Sequence, residues 1–169
     1  NDLSKNRQIK VKDTLKFLTN TSKILRKTIN TKIIAITGSC GKTTLKELLG
    51  NSLKKISKVS ISPKSYNNKY GVPLSLFNLS QKDEYGVLEV GMDKKGEIDY
   101  LSKIIEPNVG VITNINYAHA KNFRNIKQIA LAKSEMINNI RSNGYIVLNA
   151  DDRFFELHQK IAYKKNIKV

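Results

Sequence analysis

Residues 33–50, IIAITGSCGKTTLKELLG, pass from an apolar, mostly β-branched run through a two-glycine turn into a lysine, two threonines and a leucine-spaced helix. A run without polar alternation is covered on both faces, which makes it an inner strand of a parallel sheet flanked by helices. The rest of the chain repeats this alternation. KVSIS (58–62), YGVLEV (85–90), NVGVITNI (108–115) and GYIVLN (144–149) read as further strands, and the terminal NIKV is strand-like. The helix over 43–56 carries Leu45, Leu48, Leu49, Leu53 and Ile56 on its expected buried face. GVPLSLFNL (71–79), GEIDYLSKII (96–105), NIKQIALAKSEMINNI (125–140, one long helix) and DRFFELHQKI (152–161) supply the others. One more helix precedes the first strand, with Val11, Leu15, Leu18, Leu25 and Ile29 at helical spacing and Asp13 or Thr14 as its N-cap. This order predicts an α/β fold built on a doubly wound, mostly parallel sheet.

In such sheets ligands bind beyond the carboxyl ends of the strands. Three groups fall there: the loop Gly38-Ser39-Cys40-Gly41-Lys42-Thr43-Thr44, then Glu89, then Asn114 to His119. The usual phosphate-binding loop has a glycine five positions before its second one, where this chain has Ile36, so the loop is a compact variant. Its chemistry is unchanged. Glycines let successive N–H groups turn inward toward phosphate oxygens, the helix start adds its positive end, Lys42 reaches the β and γ phosphates, and the Thr43 hydroxyl is placed for Mg²⁺. A dinucleotide fingerprint, Gly-x-Gly-x-x-Gly, is absent. Cys40 reads either as an oxidisable thiol near phosphate or as a small tolerated side chain.

Glu89 ends an apolar run, between Leu88 and Val90, and a carboxylate there suits Mg²⁺ beside a phosphate loop. His119 lies on the ligand edge, where a structural histidine and a metal ligand are both open readings. His158, in FFELHQKI, reads as an ordinary helix residue. Lys133 falls on the apolar stripe of Ile126, Ile129, Ala130, Ile137 and Ile140. Either its ammonium snorkels to solvent, or it is buried with a depressed pKa and a neutral amine able to take up carbon dioxide as a carbamate.

The chain has 169 residues, enough for one domain with a sizeable core. No apolar run approaches the roughly 20 residues that span a bilayer, and the polar start does not resemble a signal peptide. A lone cysteine excludes an internal disulfide and fits a reducing cytoplasm. The net charge of +16 suits an anionic ligand, but the lysines are scattered and arginine and aromatic clusters are missing, which speaks against nucleic-acid binding.

Together these segments resemble the Mur ligase family, ATP-dependent amide-forming enzymes of peptidoglycan synthesis, and within it the branch that adds D-alanyl-D-alanine to a UDP-N-acetylmuramoyl tripeptide. ITGSCGKTTLKE resembles its nucleotide loop, YNNKYGVPLSL its Asn-Asn-x-x-Gly-Val-Pro segment and LEVGMDKKGEIDYL its Glu-x-Gly-x-x-x-x-Gly-Glu-Ile stretch. ITNINYAHAKNF and ALAKSEMI resemble its histidine and carbamylated-lysine motifs, and VKDTLKFL the helix that enters the central domain. After His119 the family usually has Leu-Glu-Gly-Phe, and this chain has Ala120-Lys121-Asn122-Phe123.

The resemblance implies that Gly38 to Thr44 hold ATP phosphates, that Thr43 and Glu89 bind one Mg²⁺, that His119 and carbamylated Lys133 bind a second, and that Asn67 and Asn68 line the substrate site. Lys42, Glu89, His119 and Lys133 would be the catalytic set. It implies activation of a carboxylate as an acyl phosphate, then attack by the D-alanyl-D-alanine amine, in a cytoplasmic monomer without membrane insertion. It further implies that residues 1–30 connect to a missing N-terminal substrate domain, that 31–169 form a partial central ATPase domain truncated at its C-terminal end, and that a C-terminal domain is absent. Rival readings are a family member using another amino acid or a folate, and a nucleotide-binding fragment without turnover.

Overall fold

The computed structural model describes residues 8–117 and 122–169. Its elements run α1 (Thr14–Thr28), β1 (Lys32–Thr37), α2 (Lys42–Leu53), β2 (Val59–Ile61), α3 (Gly71–Phe77), β3 (Tyr85–Glu89), α4 (Glu97–Ile105), β4 (Val109–Ile112), α5 (Ile126–Ser134), β5 (Tyr145–Leu148) and α6 (Phe155–Lys164). The five strands form one sheet in the order β2-β3-β1-β4-β5. Every strand pair is parallel, so the expected mostly parallel sheet is wholly parallel. NIKV contributes a single bridge, from Lys168 to Tyr145.

The two faces of the sheet are covered unequally. Ile36, Val87 and Val111 meet Leu45, Leu49 and Leu53 of α2. Ile33, Ala35, Leu88, Ile112 and Ile146 point the other way, into the main core with Leu76 of α3, Leu101 of α4 and Ile129 of α5. The expected helix over 43–56 ends at Leu53, so Ile56, 79% exposed, lies in the turn beyond it, and on α2 itself Leu48 is 63% exposed because only one edge of this helix meets the sheet. Val147, in register with Val111, is also open, since α2 does not reach β5.

Two boundaries matter for the site. Asp13 caps α1 by accepting from Lys16 N at 2.9 Å. α1 is bound to the domain by Arg26, 1% exposed, which donates to the carbonyls of Ile105 at 2.6 Å and Glu106 at 3.1 Å and to Asn108 Oδ1 at 3.3 Å. The expected single helix over 125–140 instead ends at Ser134 and tightens into a 3-10 turn over Glu135–Asn139. Its Glu135 reaches across to accept from Gly96 N and Asp99 N at 3.0 and 3.1 Å, holding the first turn of α4. No helix among the described residues is long and apolar enough to cross a membrane.

Candidate nucleotide-binding site

The sheet order turns at β1, with β3 on one side and β4 on the other, and the loops leaving β1 and β4 meet at the carboxyl edge. Gly38 has φ +148°, and a Cβ there would lie 1.9 Å from Thr113 Oγ1, so no side chain fits. Gly41, with φ +78°, is the N-cap of α2. Between the glycines the loop is stitched to the segment after β4. Ser39 N donates to Asn114 O at 3.0 Å, Cys40 N to Asn114 Oδ1 at 3.0 Å, and Thr113 Oγ1 to Cys40 O at 2.7 Å. The Ser39 hydroxyl donates to Asn116 O at 3.0 Å and accepts from Asn116 N at 2.8 Å. Ser39 and Cys40 thus spend their amides on the loop's own shape, and the donors aimed outward are those of the α2 start, which no side chain caps. The Cys40 thiol and Thr44 are exposed.

Two lysines converge on one oxygen. Lys42 Nζ, from the first turn of α2, and Lys133 Nζ, from α5, each lie 3.0 Å from the Gly38 carbonyl. Lys133 is 1% exposed, so it does not snorkel. Burial strips water from its ammonium, the Lys42 charge repels it, and Cys40 only partly opposes, which pushes its pKa down to about 7.

Glu89 is 2% exposed, held from three directions. Its Oε2 accepts from Thr43 Oγ1 and its Oε1 from Asn67 Nδ2, both at 2.7 Å, and its amide donates to Ser62 Oγ at 3.2 Å. Asn67 also accepts from Gly91 N at 2.8 Å, and a Cβ on Gly91 would sit 2.9 Å from the Asn67 amide carbon. Asn68 Oδ1 accepts from Tyr70 N and Gly71 N, both at 3.0 Å, and so opens α3. Both asparagines also border a cleft of about 830 Å³ that runs from Lys42 to Lys94, Tyr100 and Leu15.

The Thr43 and Glu89 oxygens are a hard donor pair at the mouth of a phosphate loop, which fits Mg²⁺, an ion that takes one or two protein ligands and completes its shell from phosphates and water. Among the described residues no group of three or more His, Cys, Asp and Glu gathers. His119 lies outside the described residues. His158 is buried, its Nε2 3.2 Å from Ala130 O, and burial pushes its pKa down, as suits a neutral ring packing α6 against α5. Sequence reasoning missed Lys46, Ser62 and Asp152, the last of which accepts from Ile115 N at 2.7 Å and joins the loops after β4 and β5. Ser62 was accessible to the strand-end rule; nothing local singles out the other two.

The sequence model described as Mur ligase middle domain matches residues 36–169. The UDP-N-acetylmuramoyl-tripeptide–D-alanyl-D-alanine ligase of Buchnera aphidicola is 38% identical over 143 residues, covering 85% of this chain and 31% of that protein. A crystal structure of MurF from Acinetobacter baumannii superposes with a TM-score of 0.88 at 37% identity, over 93% of this chain and 35% of that one. The MurF ligase of Thermotoga maritima in complex with ADP gives 0.83 at 31% identity, over 96% and 38%. The chain spans about a third of the length of the curated relatives it matches. On the extent of these matches, the chain belongs to the Mur ligase family, of which it carries the middle domain.

Proposed function

We propose that this domain binds Mg-ATP for a ligase that joins D-alanyl-D-alanine to a UDP-N-acetylmuramoyl tripeptide in peptidoglycan precursor synthesis. The observation that carries the reading is the buried Glu89 bonded to Thr43 at the mouth of the Gly38–Thr44 loop. The names of the relatives support the substrate pair, and the ADP in the Thermotoga maritima complex supports the nucleotide. In this reading residues 1–30 lead from a substrate domain, the protein works as a cytoplasmic monomer, and nucleic acid is not a partner.

A carboxylate oxygen of the tripeptide attacks the γ phosphorus, the bond to the β-phosphate oxygen breaks, and ADP leaves with that electron pair. The dipeptide amine then attacks the acyl carbon, phosphate leaves and the nitrogen gives up a proton. Both partners of the first step are anions, so charge neutralisation is the main catalytic demand. Lys42 moves from Gly38 O to the β and γ phosphates, and the α2 start binds phosphate oxygens. Thr43 and Glu89 hold Mg²⁺, which supplies Lewis-acid charge stabilisation when bound. Lys133, with a pKa near 7, has a neutral fraction able to bond the carbon of carbon dioxide and lose a proton. The resulting carbamate would, with His119, offer oxygen and nitrogen to a second Mg²⁺. Asn67 and Asn68 face the incoming carboxylate from the cleft.

The test is an assay of the whole enzyme that contains this domain, with ATP, the UDP-tripeptide and either D-alanyl-D-alanine or single amino acids. Dipeptide-dependent phosphate release and a product of matching mass are expected. Product with a single amino acid alone moves the protein to another branch of the family, and no product with any acceptor overturns the reading.

A further inference from the structure

Lys46 lies one turn beyond Lys42 on α2 and is fully buried in a chain whose other lysines are mostly exposed. Its Nζ donates to Ser62 O at 2.8 Å and Lys64 O at 2.5 Å, with Glu47 Oε1 at 3.2 Å. A buried ammonium is costly unless its donors are satisfied, and here the acceptors are backbone carbonyls of a loop already under strain: Lys64 has φ +43°, a region that non-glycine residues avoid. Such a conformation persists only where its surroundings hold it.

The loop that Lys46 holds is the one that holds Glu89. Ser62 Oγ accepts the Glu89 amide, Ser62 N donates to Val87 O at 2.9 Å, and a few residues on Asn67 donates to the Glu89 carboxylate. Glu89 returns to α2 through Thr43, three residues before Lys46. The contacts close a ring: α2, Thr43, Glu89, Ser62, Lys46 and α2 again.

We propose that Lys46 is a positioning residue, which fixes the Ser62–Asn67 segment against α2 so that the Glu89 carboxylate stays aimed at the Thr43 hydroxyl. The inference rests on the reading of Thr43 and Glu89 as the Mg²⁺ pair. It says that metal affinity, more than nucleotide affinity, depends on a side chain that touches neither.

The test is ADP binding by calorimetry to the whole enzyme that contains this domain and to its Lys46→Met variant, with and without Mg²⁺. Met keeps the stem and removes the donors. The expected result is metal-free ADP affinity close to that of the unmodified enzyme, with the Mg²⁺ enhancement reduced about tenfold or more, the scale of lost outer-sphere support at metal sites. Hydrogen exchange should show lost protection confined to 62–68. If Lys46→Met does not fold, Lys46→Gln, which keeps N–H donors, is measured the same way and should lose part of the enhancement. An unchanged enhancement in the variant overturns the proposal while the nucleotide reading stands. An unmodified enzyme that binds ADP with no Mg²⁺ enhancement overturns the reading of the pair and this proposal with it. Equal loss of affinity with and without metal marks Lys46 as ordinary scaffolding and overturns the proposal.

Discussion

Thr43 Oγ1 donates a 2.7 Å hydrogen bond to Glu89 Oε2, joining the first turn of α2 to the carboxyl end of β3 across 46 residues of sequence. The bond holds a hydroxyl and a carboxylate as neighbours before any ion arrives. Thr43→Val keeps the shape and removes the oxygen. Its Mg²⁺-dependent gain in ADP affinity is expected to fall by about tenfold, near 1.4 kcal/mol, while Thr43→Ser keeps most of it. Calorimetry across a Mg²⁺ series checks both.

Lys42→Ala should weaken ATP binding by about 1.5–3 kcal/mol, the range of a hydrogen bond to a charged group. Because Lys42 rests on the Gly38 carbonyl, the loss in nucleotide affinity is the difference between two polar settings. Equal ATP affinities in the two proteins would show that Lys42 does not reach phosphate.

The depressed pKa of Lys133 makes stability depend on pH with a fixed sign. Between about 7 and its ordinary 10.5 the unfolded chain holds a proton there that the folded chain does not, so stability rises with pH across that window, and the cost of the buried charge is complete below it. Relative to Lys133→Met, which has no such proton, the unmodified chain should gain about 2 kcal/mol between pH 7 and pH 9 in CO₂-free buffer. Urea unfolding of both proteins at the two pH values measures it, and parallel curves would contradict the buried amine.

Carbamate formation has its own signature. With ¹³C-bicarbonate and Mg-nucleotide, the whole enzyme should show one carbamate carbon resonance that Lys133→Met lacks. In the same enzyme Lys133→Ala should lose turnover severely while nucleotide binding stays nearly intact. A spectrum without that resonance would leave Lys133 as an amine.

Gly38→Ala sets a methyl group against Thr113, whose hydroxyl holds Cys40 O. A loss of at least about 2 kcal/mol is expected, roughly 4–8 °C in Tm for a chain of this size, with loss of ATP binding. Thermal melts decide it, and an unchanged Tm would mean that the loop tolerates a side chain.

The strands were legible because burial on both faces leaves continuous apolar runs, and Glu89 was legible because a carboxylate breaks such a run at its end. The α2 stripe is narrower and shorter than spacing suggests: spacing identifies the apolar face but neither how much sheet lies beneath it nor where the helix stops, so Leu48 stays exposed and Ile56 falls beyond the end at Leu53. The long helix over 125–140 hides a change of pitch at Ser134, which coincides with the Glu135 contacts to the start of α4 and leaves no mark in the apolar spacing. Lys133 could be placed on the core stripe, yet only its burial beneath the loop, against the Gly38 carbonyl, decides between a buried amine and a solvated one. Lys46 and Arg26 were missed because, in a chain with 30 lysines and arginines, a buried cation looks like any other until its carbonyl partners, distant in sequence, are known.

The strand order also sets a timetable. β1, the central strand, has no neighbour in the sheet until Tyr85 is available to pair with Lys32, and its second flank waits for β4. During synthesis KIIAIT is therefore a bare six-residue segment of high β propensity, the kind that self-associates, while β2 can offer it nothing. Lys32, the first residue of KIIAIT, and Lys27, five residues upstream, are the charges placed to act as gatekeepers during that interval. The Gly38–Gly41 loop takes its hydrogen-bond partners from Thr113, Asn114 and Asn116, so those bonds also wait for the segment after β4 to be made.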